Sequence, residues 1–147
     1  MSLITSSNKK LIAKTDIRCY KVLKRENTSG SFSTFPRNYT VSNEVLMRIK
    51  SLKPRESACI LEKIKIDGTK YYKITSGAIH VCTSAAILRN NIMDLVIRHI
   101  DKEQEESFDF ADLNIWEVII PRGSWYFEDI SGESIAAEQI KLVRVVT

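Results

Sequence analysis

The dipeptide Asp67-Gly68 stands between two runs rich in isoleucine and tyrosine, Ala58 to Ile66 and Thr69 to Thr75. Asp and Gly tolerate the positive φ angles of a type I′ turn, whose twist joins two antiparallel strands through only a pair of residues. The spacing predicts a β-hairpin. That hairpin runs into the stretch around which the rest of the chain must be arranged, Tyr71 to Ser84. Within it Gly77 permits a bend or a close backbone approach, and Ile79, His80, Val81 and Cys82 can continue in extended form. Thr83 or Ser84 then supplies a side-chain oxygen where a helix would begin, and Leu88, Ile92, Leu95, Val96 and His99 recur at helical spacing. A long helix over residues 84–100 is expected, with His80 and Cys82 just ahead of its N-terminus.

Elsewhere the patterns are mostly those of strands. In Asp16 to Leu23, Ile17, Cys19 and Leu23 alternate with Arg18, Tyr20 and Val22, so the two sets occupy opposite faces. Lys24 to Asn38 is polar and broken by Pro36, which reads as a loop; its Phe32 and Phe35 either fold back on the core or cover a ligand. A short helix is expected after Asn43, carrying Val45, Leu46, Ile49 and Leu52 and ended by Pro54. Leu113 to Ile120 is apolar on both faces, as in a central strand covered on each side. Ser124 to Glu128 is a further strand, Asp129 to Glu133 a turn, and Ser134 to Val146 a long closing strand with a bulge near Glu138-Gln139. Residues 1–15 read as a polar, basic segment held only by Leu11 and Ile12, ahead of one domain over 16–147. The expected class is α+β, a mainly antiparallel sheet of about six or seven strands with one long and one short helix.

A chain of 147 residues can bury a core without a metal or disulfide staple. Its apolar runs are too short to span a bilayer, and the N-terminus lacks the apolar centre of a signal peptide, so no membrane association and a reducing, cytoplasmic location are expected. Cys19, Cys59 and Cys82 have no Cys-x-x-Cys spacing, which points neither to a disulfide framework nor to a zinc knuckle. Net charge is +4, but twelve Lys or Arg face three acids over residues 1–55, while six acids face one lysine over residues 101–112. Either these stretches attract one another within the molecule, or the basic N-terminal half meets nucleic acid or an acidic protein.

No phosphate-binding glycine loop, dinucleotide fingerprint, nucleophile elbow or His-Glu-x-x-His is present, so NTPase, Rossmann, hydrolase and zincin chemistry have no motif behind them. With His80 and His99 the only histidines, a metal site is thinly supplied, and no cofactor is expected. His99, on the apolar face near the end of the expected helix, has a sufficient role in meeting the helix dipole. Cys82 is a candidate for ligand contact because a helix N-terminus can lower a thiol pKa. The candidate ligand-binding set is Tyr20, Phe35, Ser76, His80 and Cys82.

Two resemblances add to this. The order Ile17-Arg-Cys-Tyr-Lys-Val-Leu23, Gly77-Ala-Ile-His80-Val-Cys82, a helix, Trp116-Glu-Val-Ile-Ile-Pro121-Arg-Gly123 and Ala137-Glu-Gln-Ile-Lys-Leu142 resembles small phage and bacterial mobile-element proteins over residues 18–143. Those proteins pair a Tyr-Lys strand with Gly-x-x-His-x-Cys before a helix and a Val-x-x-Pro-x-Gly strand, and the likeness implies no particular activity. The chain is also similar to the ADP-ribosyltransferase fold, in which a basic first-strand residue, a Ser-Thr-Ser-like strand and a later glutamate strand surround NAD. Under that likeness Arg18 would pair with NAD phosphate, Thr75-Ser76 would form the middle element, and Glu117 would stabilise an oxocarbenium-like ribose. Ile115 stands where many such enzymes carry Glu or Gln. A non-catalytic binding domain and an NAD-using transferase, with Arg18 and Glu117 as its catalytic residues, are both left open.

Overall fold

The computed structural model describes residues 3–26, 31–34, 40–41, 51–54, 58–91 and 113–146. Its strands are β1 (Leu3–Thr5), β2 (Leu11–Ile12), β3 (Ile17–Glu26), β4 (Ser31–Thr34), β5 (Thr40–Val41), β6 (Ser51–Leu52), β7 (Ile60–Ile66), β8 (Thr69–Ser76), β9 (Ile79–Cys82), β10 (Leu113–Ile120), β11 (Trp125–Glu128), β12 (Ser134–Ala137) and β13 (Ile140–Val145). One short helix, α1 (residues 85–91), is described. The expected α+β class with a long helix is therefore corrected: the protein is mostly antiparallel β-sheet. A small sheet has the order β1-β8-β7. A large one runs β2-β11-β12-β9-β3-β10-β13-β6, with β4 attached to β3 and β5 to β4.

Several local expectations are met. Asp67 and Gly68 have φ of 50° and 80°, both positive as a type I′ turn requires, and β7 pairs with β8 around them. Ser84 Oγ accepts a hydrogen bond from the Ile87 amide at 3.5 Å, which makes it the cap of α1. The two faces of β3 separate as the alternation predicts: Cys19 and Leu23 join one buried cluster with Val118, Ile120 and Ile140, whereas Tyr20 and Val22 join another with Leu88, Leu113 and Ile115. β10 contributes to both clusters because it lies between β3 and β13 with side chains buried on each face.

Other expectations are overturned. The expected N-terminal tail supplies two strands, and it is held by buried Leu3 and Ala13, while Leu11 and Ile12 are 44 % and 56 % exposed. Leu3 joins Ile74, Phe127 and Ala136 in the cluster between the two sheets. The expected loop over residues 24–38 contains the end of β3 and all of β4, because the backbone of Leu23 to Glu26 pairs with Ser31 to Thr34. Leu52 is not helical: it lies in β6, opposite Ile140. Val45, Leu46 and Ile49 lie outside the described residues, as do His99 and the acidic stretch 101–112. The closing strand is two strands in separate places, and the phase shift at Glu138-Gln139 marks the chain passing from β12, beside β9 and β11, to β13, beside β10. No helix among the described residues is long and apolar enough to cross a membrane.

Candidate functional site

Three neighbouring strands of the large sheet bring charged side chains together. Along one face of β10 the side chains run Leu113, Ile115, Glu117, Ile119, so the apolar half under Leu88 of α1 gives way to a carboxylate. Glu117 is opposite Tyr20 on β3 and Arg144 on β13; Ile119 is opposite Arg18 on β3 and Lys141 on β13. Partners across a ladder share a face, so Arg18, Tyr20, Lys141 and Arg144 surround these two positions. Glu117 Oε1 meets Arg18 Nε at 2.9 Å, and Oε2 meets Arg144 Nε at 2.8 Å. The glutamate side chain is 7 % exposed, whereas the two arginine side chains are 71 % and 70 % exposed. A buried carboxylate thus pins two guanidinium groups, each through its Nε atom. Lys141 adds a further exposed cation to this face.

The strand-to-helix stretch gathers a different set. Gly77, at φ 81°, carries the chain from the small sheet into the large one, and a Cβ there would overlap the Ala58 carbonyl. Ser76 stays on β8, opposite Ile60, while His80 and Cys82 lie on β9 opposite Ala136 and Ser134. Cys82 also pairs with Tyr20 across the β9-β3 ladder. Of the candidate ligand-binding residues, Tyr20 and Cys82 are therefore adjacent, His80 follows on the same strand, and Ser76 belongs to the other sheet. Phe35 lies outside the described residues.

The residue that joins this group is Lys21, which is 5 % exposed and donates from Nζ to the His80 carbonyl at 2.7 Å. Burial pushes the Lys21 amine down to about 8, against a smaller upward pull from Cys82. Burial, reinforced by the Lys21 charge, takes the His80 imidazole down to about 4. The Cys82 thiol is raised by burial, although Lys21 works the other way, so the lowering expected from the helix N-terminus does not prevail. Cys19 is pushed up to about 12 by burial and by Cys82. These are the properties of enclosed thiols and a neutral imidazole rather than of reactive groups.

Lys21 had a legible signal that hydropathy alone obscures: it stands two residues from Cys19 and from Leu23, in the same alternate set as Ile17, and so falls on their face. Arg144 had none, because nothing in Lys141-Leu-Val-Arg144-Val names the strand that β13 will lie beside. Family models, curated proteins and solved structures yield no match to this chain.

Proposed function

We propose that the protein is a binding domain that takes a phosphate-bearing ligand on the β3-β10-β13 face, with Arg18 and Arg144 as its contacts and Glu117 as the group that holds them. The observation that carries this is the pair of well-exposed guanidinium groups fixed side by side by one buried carboxylate. Arginine presents a planar fork suited to phosphate oxygens, and anchoring through Nε removes part of the entropy that a free side chain would lose on binding. Lys141 extends the positive face. Inorganic pyrophosphate is a direct probe. A ligand that binds only the folded state at one hundred times its Kd stabilises it by about 2.7 kcal/mol, so the melting midpoint should rise with pyrophosphate and with NAD. The rise should shrink in Arg18→Lys and Arg144→Lys, which keep the charge and lose the fork. A midpoint indifferent to both ligands overturns the proposal.

A transferase remains a second reading because Arg18 and Glu117 share a face and touch. Against it, both Glu117 oxygens already accept from arginines, and Ser76 stands in the other sheet. NAD-dependent release of nicotinamide, lost in Glu117→Gln, would select it; NAD binding without release would select the binding domain.

A further inference from the structure

The β7-β8 hairpin has two unlike faces. On one, Glu62 is opposite Lys73, Ile64 opposite Tyr71 and Ile66 opposite Thr69. On the other, Leu61 is opposite Ile74, Lys63 opposite Tyr72 and Lys65 opposite Lys70. Leu61 and Ile74 pack into the cluster between the sheets, so this second face is core at its base and basic toward its turn. Lys63, Lys65 and Lys70 are all exposed. Like charges directly opposite on neighbouring strands are destabilising, yet Lys65 and Lys70 are so placed, while the other face has the favourable Glu62 and Lys73 pair.

The distal half also stands as a ribbon. β1 accompanies β8 only from Ile74 to Tyr72, opposite Leu3 to Thr5, and beyond Tyr72 the described partner of β8 is β7 alone. A ribbon of two strands is marginal by itself, and a like-charged pair weakens it further. Two strands about 4.8 Å apart fit within a B-DNA major groove about 12 Å wide, where phosphates on either side would offset this repulsion.

We propose that the β7-β8 hairpin is a second binding surface, a β-ribbon that enters the major groove of duplex DNA with Lys63, Lys65 and Lys70 directed to the phosphate backbone. It uses strands other than those of the arginine clamp and does not depend on the clamp being correct. Asp67 at the turn is an acid lying between Lys65 and Lys70 in sequence, so neutralising it should favour binding. Double-stranded RNA, whose major groove is deep and narrow, is not a substitute on this geometry.

The experiment is fluorescence anisotropy of the full chain with a short labelled DNA duplex over a range of salt concentrations. Wild type should bind, with affinity falling as salt rises. Lys65→Gln with Lys70→Gln should bind more weakly, with the logarithmic salt slope reduced by about two. Lys65→Glu should also weaken binding while melting no lower than wild type, because it turns a repulsive pair into an attractive one; this separates loss of contact from loss of fold. Asp67→Asn, which keeps a residue tolerant of positive φ, should tighten binding. The proposal is overturned if wild type does not bind, if the double variant retains wild-type affinity and slope, if Lys73→Gln on the opposite face causes an equal loss, or if duplex RNA binds equally well. Failure of both pyrophosphate and NAD to raise the melting midpoint would reject the clamp and leave these outcomes unaffected.

Discussion

Arg18 and Lys21 are cations on the same strand, and the sheet treats them in opposite ways. Arg18 projects from the face that carries Glu117, where its guanidinium finds a carboxylate and keeps most of its surface in water. Lys21 falls on the face that carries Cys19 and Leu23, loses its hydration almost completely, and donates to a backbone carbonyl. The charge that remains hydrated around a buried counter-ion is available to a ligand; the enclosed charge affects stability and its neighbours. Parity along β3 therefore separates an exposed cation from an enclosed one more sharply than residue type does.

Removing both arginines should have the largest effect. Arg18→Ala with Arg144→Ala leaves Glu117 buried without its two partners, and loss of the partners of a buried charge costs about 3–5 kcal/mol. Urea denaturation should show a loss well beyond the sum of the single changes, since either arginine alone still meets the carboxylate. Replacing Glu117 by Met in the same background should recover much of that loss, because an apolar side chain of similar size needs no counter-charge. If the double variant melts like wild type, the carboxylate is hydrated and the contrast with Lys21 collapses.

How much of this could be read in advance follows the same division between local and long-range causes. The Asp67-Gly68 turn, the alternation of β3, the two-sided apolar pattern of β10 and the Ser84 cap are set within a few residues, and each is legible. The α+β expectation fails where pairing rather than pattern makes the element. Leu3–Thr5 is too short to signal a strand until β8 lies beside it, and Leu52 fits a helical spacing equally well until Ile140 is opposite. The candidate site divides likewise: Arg18 and Glu117 are recognisable singly, but Arg144 belongs to the group only because β13 is the other neighbour of β10.

The enclosed group should show itself through pH. His80 has a folded-state pKa of about 4 against an ordinary 6.5, so as pH falls the unfolded chain takes up the proton first. Its contribution is present in full above about 6.5 and is lost as pH falls through about 4, an effect of up to about 3 kcal/mol. Lys21, at about 8 against an ordinary 10.5, acts in a higher window: the unfolded amine stays protonated longer, and stability rises as pH climbs between these values. Chemical denaturation across both windows should show two rises toward alkaline pH, with the lower one absent in His80→Gln and the upper one absent in Lys21→Met. An upper rise that persists in Lys21→Met would mean the amine is hydrated, placing it with Arg18 rather than opposed to it.

The smallest expected effect separates the two arginines themselves. Arg144 is directly across from Glu117, whereas Arg18 reaches it on the diagonal from opposite Ile119. Direct partners are held closer at Cβ than diagonal ones, so Arg18 must extend further and order more of its side chain to make a contact of similar length. Both arginines are largely exposed, which limits each single loss to about 1 kcal/mol or less. Within that range Arg144→Ala should cost more than Arg18→Ala, and a double-mutant cycle with Glu117→Gln should assign the larger coupling to Arg144. If Arg18→Ala is silent and Arg144→Ala alone reproduces the loss of the double variant, Glu117 holds one arginine rather than two, and Arg18 is an ordinary surface cation after all.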